Sequence, residues 1–306
     1  MDRRLCDDDE IARINNNHWS GAGNWMVSGF IVSMDILNKL QRRRFEEVDE
    51  LLAFVSIYDD HRRMRALKSL LRANARLIRG ALCVEGGCGL GSLSIEMAKL
   101  GARKVYAVEQ NPLLARVAHQ RISELPNDVA RRIEVVEIPL EHFHPIGHVN
   151  VLVHEFYGQL LYDEDLWVLE HLKFSPDVVI PNGGELRAGI GSSRSYRDRV
   201  VTEGVLQQLE GALVSGLYEE RVSERTRAVL QWSFGLGLTP VKHTFADVKG
   251  DLACFGLVVT HDGKKICEAG VCPNWAYVWT LRMGNQVSFQ FRRAARGAEC
   301  SFRWIP

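Results

Sequence analysis

Between residues 82 and 180 the chain alternates short β-branched runs with amphipathic helical stretches, and this rhythm constrains the fold more than any other feature. LCVEGG, KVYAVE, IEVVEI, HVNVLVH and DVVI read as strands, while Ser92 to Leu100 and a segment from Asn111-Pro112 to Leu125 read as helices. The second helix has a well-marked start, because Asn at the cap accepts orphan backbone N–H groups and Pro at the first helical position has none to satisfy. Strand, helix, strand, helix predicts an α/β fold with a parallel, doubly wound sheet. Ligands bind such sheets outside the carboxyl ends of the strands.

After Pro181 the helices thin out. One polar helical stretch remains in 194–226, and FADVKGDLACFGLVVTHDGKKI, WAYVWTLRM, QVSFQF and CSFRWIP read as strands separated by turns such as His261-Asp262-Gly263. The expectation is an antiparallel β domain, a barrel or sandwich, over residues 182–306. Ahead of the sheet, residues 1–54 carry short helical patterns and an aperiodic stretch, NNNHWSGAGNW, expected to be an arm or a lid. From Arg62 to Arg79 seven basic and no acidic residues occur, and Arg65, Lys68, Arg72, Arg76 and Arg79 recur at helical spacing opposite Met64, Leu67, Leu71, Ala75 and Ile78. This stripe reads as a solvated helix face, since nothing aromatic interleaves it.

The 306 residues hold 38 basic and 38 acidic side chains, so the formal net charge is zero, which argues against a nucleic-acid backbone or an anionic membrane as the partner. No run approaches the roughly 20 apolar residues of a membrane helix, and the N-terminus lacks the apolar centre of a secretory signal, so a cytoplasmic protein is expected. The seven cysteines have no C-x-x-C spacing and are expected to be reduced thiols.

Glu85-Gly86-Gly87-Cys88-Gly89-Leu90-Gly91 follows one strand and opens a helix, a setting in which backbone amides can approach a ligand closely. An acid, Glu109, closes the next strand, where it could accept both ribose hydroxyls of an adenosine. The dinucleotide fingerprint G-x-G-x-x-G would need a third glycine where Ser92 stands; the glycine comes at Gly91. The shorter loop favours S-adenosylmethionine, which has no pyrophosphate, over a nicotinamide dinucleotide. Farther on, residues 151–177 hold six acids, Glu155, Asp163, Glu164, Asp165, Glu170 and Asp177, against one base, Lys173. Nine residues separate Glu155 from Glu164, so on a helix they would face apart; they converge only if the chain folds back, which Gly158 permits.

His154-Glu155-Phe156-Tyr157-Gly158 followed by Leu161-Tyr162-Asp163-Glu164 resembles the double-E hairpin of the protein arginine methyltransferases. Gly87, Gly89 and Gly91 match that family's cofactor loop, and Gly101-Ala102-Arg103-Lys104-Val105 leads to Glu109 as its ribose-binding acid. The resemblance implies an S-adenosylmethionine-binding Rossmann-like domain over 55–181 followed by an antiparallel β-barrel, with a dimerisation arm compressed into 194–226 and hence a homodimer. It places Arg63, in Asp60-His61-Arg62-Arg63, at the methionine carboxylate, and Glu85 at the acid before the loop. Glu141, just past IEVVEI, is expected on the adenine side. Glu155 and Glu164 become the catalytic pair, with Tyr157, Asn274 and Trp275 as substrate contacts. The family's Thr-His-Trp loop falls at Pro273-Asn274-Trp275, so Asn274 replaces the histidine; Trp275 reads equally as core, and Asn274 as a turn residue.

Such a trimmed chain is similar to stand-alone bacterial enzymes that methylate free arginine for antibiotic assembly. The implied activity is transfer of a methyl group to a small-molecule guanidino substrate, L-arginine, with peptide arginine, or a non-catalytic scaffold of the same fold, as alternatives. Two carboxylates suit the chemistry, because a guanidinium stays protonated and must be held in plane and drained of positive charge before it can attack.

Overall fold

The computed structural model describes residues 57–193, 208, 211–215, 226–241, 243–272, 274–294 and 297–306. Segment 1–54 and most of 194–226, read above as lid and arm, lie outside the described residues. Strands β1 (Leu82–Gly86), β2 (Lys104–Glu109), β3 (Ile133–Glu137), β4 (Val151–His154) and β5 (Val178–Ile180) form a parallel sheet in the order β3-β2-β1-β4-β5. Both β1 and β4 are buried along their whole length, which is why they read as unbroken apolar runs without alternation. The order reverses between β1 and β4, so the loops leaving those two strands flank the crevice where such sheets take ligands.

The helices are α1 (His61–Ala73), α2 (Ala75–Ile78), α3 (Ser92–Lys99), α4 (Pro112–Ser123) and α5 (Asn127–Ala130). The Asn111 side chain accepts from Leu113 N and Leu114 N, as the Asn-Pro start of α4 predicts. The basic stretch is two helices where one was expected, because Asn74 turns its side-chain amide back onto Leu70 O and caps α1. On one face of the sheet Leu67, Leu71 and Ile78 pack with Met97 and Val105. On the other, Leu152, Leu166 and Trp167 run without a break into Leu186, Phe255 and Leu257 of the second domain. Each such side chain, fully buried, contributes about 1.5–3 kcal/mol relative to exposure.

The second domain is antiparallel. Strands β6 (Gly183–Gly191), β7 (Val214–Ser215), β8 (Arg227–Ser233), β9 (Gly237–Pro240), β10 (Leu252–His261), β11 (Lys264–Glu268) and β12 (Val278–Leu281) pair in the order β7-β12-β10-β6-β8-β9, with β11 on β10. A separate ribbon, β13 (Gln286–Ala294) with β14 (Gly297–Ile305), packs on this sheet through Phe289, whose ring meets Phe255 edge-on at 5.3 Å. Asp262 and Gly263 both take left-handed conformations, the signature of the tight turn read at that position.

One expectation is corrected here. Cys267 and Cys272 form a disulfide where reduced thiols were expected: an isolated bridge between Ala269 and Cys272 folds the chain back and brings the two Cα atoms to 6.7 Å. Cys83, Cys88 and Cys254 are buried free thiols, and Cys300 is a half-buried one. Among the described residues no helix is long and apolar enough to cross a membrane, and no group of side chains could hold a metal ion.

Candidate active site

The loop leaving β1 carries Gly87, Gly89 and Gly91, all with positive φ. At Gly89 the requirement is double, since a Cβ there would also collide with the Tyr58 hydroxyl. That hydroxyl accepts from Leu90 N at 3.0 Å, so Tyr58 lies over the loop. Sequence reasoning missed Tyr58, which stands just before α1 and outside any periodic run.

Glu85 sits beneath the loop, where its Oε2 accepts from Ser94 N at 2.6 Å and from the Ser94 hydroxyl, pinning the start of α3. Burial pushes its carboxyl up to about 7. Glu109, at the carboxyl end of β2, accepts from Gly89 N at 2.7 Å and Asn111 N at 2.8 Å; burial raises its pKa and these amides oppose the rise. Glu141 lies on a 3-10 turn (Leu140–His142) that swings it 4.0 Å from Arg293 Nη2 of the ribbon. The Arg293 guanidinium in turn stacks on the Trp167 ring at 4.1 Å.

The loop leaving β4 folds back, as the resemblance to the double-E hairpin implies. Leu161 N donates to Gly158 O at 2.9 Å, these two residues form an isolated bridge, and Asp163 Oδ1 accepts from Leu160 N at 2.9 Å. A side chain at Gly158 would strike the Asp163 carboxylate, so glycine is needed for the return. Glu155 and Glu164 are thereby brought within electrostatic reach of each other, and the Glu155 charge is one cause of the raised Glu164 pKa.

Arg63, expected at the methionine carboxylate, bonds the first glutamate of the hairpin. It is buried, with Nη1 donating to Glu155 Oε1 at 3.1 Å and Nη2 to Ile57 O at 2.9 Å, and its guanidinium lies 5.5 Å from the centre of the Trp275 ring. Trp275 is therefore both core and wall of the site. The Asn274 backbone N–H donates to Asp60 Oδ2 at 3.2 Å, while Asp60 Oδ1 caps α1 at Arg63 N. Tyr157, expected at the substrate, donates its hydroxyl to Gly183 O at 3.0 Å, and its ring packs against Trp232 and Trp275, tying the hairpin to β6. His154 bonds Pro181 O at 2.9 Å through Nε2, and burial lowers its pKa to about 4. A cavity of about 730 Å³ opens behind the hairpin, with Tyr162, Glu170, Trp232, Phe289 and Phe291 in its wall; none of these is an expected site residue.

Burial raises the Glu155 pKa, Arg63 opposes that rise, and Asp60 adds to it. Glu164 is pushed well above the usual carboxylate range, first by burial and then by Asp163, Glu155 and Asp165, with Arg63 acting against them. The two glutamates therefore differ: Arg63 holds Glu155, whereas like charges surround Glu164.

No protein-family model matches the chain. A segment of 108 residues is 36% identical to "Protein arginine N-methyltransferase PRMT10" of Oryza sativa subsp. japonica, covering 35% of this chain and 28% of that protein. Another of 111 residues is 35% identical to "Protein arginine N-methyltransferase 6" of Danio rerio, covering 36% and 30% respectively. The matched segment thus spans less than a third of the length of these curated relatives. Among solved structures, Arabidopsis thaliana protein arginine methyltransferase 10 superposes with a TM-score of 0.56 at 16% identity, covering 83% of this chain and 93% of that one. A structure of PRMT6 with SAH superposes with a TM-score of 0.60 at 14% identity, covering 83% and 99%. The fold is therefore that of the protein arginine methyltransferase structures, a parallel Rossmann-like domain followed by an antiparallel one.

Proposed function

We propose that this chain is an S-adenosylmethionine-dependent N-methyltransferase acting on the guanidino group of arginine. The observation that carries the reading is the Arg63 guanidinium donating to Glu155 inside the hairpin that returns Glu164, beside the glycine loop. It exhibits, with a group of this chain, the charge-assisted contact that an arginine substrate would make.

The residues fit the cofactor. The loop is shaped by glycines whose added Cβ atoms would meet Tyr58 and Phe156, and a carboxylate, Glu109, stands at its mouth for a ribose diol. Gly87, Gly89, Gly91 and Glu109 would hold it, with Tyr58 above; when bound, it supplies an electrophilic methyl group on a sulfonium. Glu155 and Glu164 would fix the plane of the guanidinium and draw its positive charge away from the attacking nitrogen. Glu164, the more basic carboxylate, would take the proton.

The curated relatives are named as protein arginine methyltransferases, and this supports peptide arginine as the substrate. Free L-arginine is the second reading, favoured by the zero net charge, which gives no long-range pull on basic protein tails. Incubation with methyl-labelled cofactor and either an Arg/Gly-rich peptide or free arginine separates them. Label on the peptide alone supports the first, and label on free arginine alone the second. Label on neither refutes the guanidino reading.

A further inference from the structure

Asp163 closes the turn of the hairpin, but its charge has no part in that closure. It precedes Glu164 directly, and its carboxylate is enclosed by the turn 158–163, where Oδ1 accepts from Leu160 N at 2.9 Å and fills the space that a side chain at Gly158 would need. An amide, Asn, would close the same turn with the same acceptor and no charge. An ionisable group in a place where a neutral one would serve the structure calls for a role for the charge.

The neighbours define that role. Glu164 is faced by Asp163, Asp165 and Glu155 from the hairpin and by Arg63 from α1. Asp60 adds its charge at Glu155, Glu141 at Asp165, and the Asp163 charge also reaches the Cys300 thiol on β14. Arg63 is committed to Glu155. We infer that Asp163 is a positioning residue of this site: it closes the turn that returns Glu164 to Glu155, and its adjoining negative charge makes Glu164 the proton acceptor of the pair. Burial and the Asp163 charge both raise the Glu164 pKa, and Asp163 is itself raised by burial. Environments that drive two carboxyl groups apart in pKa assign the acid–base work between them. The step moves one proton from the guanidinium nitrogen that bonds to the incoming methyl carbon onto a Glu164 oxygen, while the sulfur keeps the electron pair of the broken carbon–sulfur bond.

The inference rests on the proposed methyl transfer, so its test has a readout that does not need turnover. Carboxyl ¹³C NMR titrations of the full chain, with glutamate and aspartate labelled, compare wild type with Asp163→Asn and use Glu164→Gln to identify the Glu164 signal. In wild type that signal should titrate above the ordinary glutamate range, and in Asp163→Asn it should move to lower pH with the fold unchanged by circular dichroism. An unmoved Glu164 titration overturns the inference. Should Asp163→Asn fail to fold, Asp163→Glu, which restores the charge, must recover the fold and the high titration; failure to recover them also overturns it. In the turnover assay the acidic limb of the pH–rate profile should shift down in Asp163→Asn, with plateau turnover reduced about tenfold as a weaker base would give. A moved titration with no methyl transfer in wild type would refute the transfer reading and leave the assignment of the Asp163 charge standing.

Discussion

Removing Arg63 should uncover how much the carboxylates of the hairpin depend on it. In Arg63→Ala three contacts vanish: the ion pair with Glu155 at 3.1 Å, the bond to Ile57 O at 2.9 Å and the stacking on Trp275 at 5.5 Å. Breaking a buried pair by deleting one partner costs about 3–5 kcal/mol when the other charge is left enclosed. The Glu155 side chain is 21% exposed, so water recovers part of this and about 2–3 kcal/mol is the expected loss at neutral pH. The loss should depend on pH with a definite sign. Without the cation, the folded-state pKa of Glu155, already raised by burial, rises further above its unfolded value. Between those two values the folded state binds more protons than the unfolded one, so stability falls as pH rises through the window. The gap between wild type and Arg63→Ala should therefore be small near pH 4 and widen towards pH 8. Urea titrations at both pH values measure it, with Arg63→Ala/Glu155→Gln closing the cycle and removing most of the pH dependence. An equal loss at both pH values, or additive single mutants, would refute the account of a cation serving a buried carboxylate.

Glu164→Gln should leave cofactor binding, read by thermal shift, near that of wild type while turnover falls by about 10²–10⁴-fold, the range of a lost general base; unchanged turnover would end its assigned role. Gly89→Ala places a methyl group against the Tyr58 hydroxyl at a left-handed backbone position, and should cost about 1–3 kcal/mol and weaken cofactor binding. Adding Tyr58→Phe should return part of that loss, and a melting temperature identical to wild type would contradict the geometry. Reducing the Cys267–Cys272 bond, or replacing Cys272 by Ala, opens a short loop and should cost about 2 kcal/mol. Equal thiol titres of the unfolded chain with and without prior reduction would show that the bond is not there.

The strands were legible because their residues are buried on both faces, so that VLVH and LCVEG carry the signal without help from partners. The hairpin was legible through its resemblance to the double-E motif; the spacing alone only allowed it, through a glycine whose Cβ would strike the Asp163 carboxylate. What escaped depends on contacts between distant segments. Arg63 meets Glu155 across 92 positions, a contact set by the docking of α1. The disulfide escaped for the opposite reason. Its cysteines are five apart, a spacing with no motif, and they meet through a backbone bridge at Ala269 that the side-chain pattern does not announce. The approach of Glu141, on a 3-10 turn after Pro139, to 4.0 Å from Arg293 of the other domain is, like that of Arg63 to Glu155, a long-range contact with no local pattern.

The zero net charge conceals the arrangement that matters. Of the seven bases between 62 and 79, Arg63 alone is buried, whereas Arg62, Arg65, Arg72, Arg76 and Arg79 are exposed to solvent, where a charge costs little. On the acidic side Glu155, Asp163, Glu164 and Asp165 are withdrawn together, and burial raises the pKa of each of them. The one buried guanidinium of the basic stretch is bonded to Glu155. Arg63 opposes the rise mainly at Glu155, whereas burial and acidic neighbours push Glu164 well above the ordinary carboxylate range. A second guanidinium entering the hairpin would oppose the rise at Glu164 as Arg63 opposes it at Glu155. On the proposed reading, a cationic, planar ligand is favoured over a neutral one. That preference comes from the unequal treatment of two glutamates that look equivalent in the sequence.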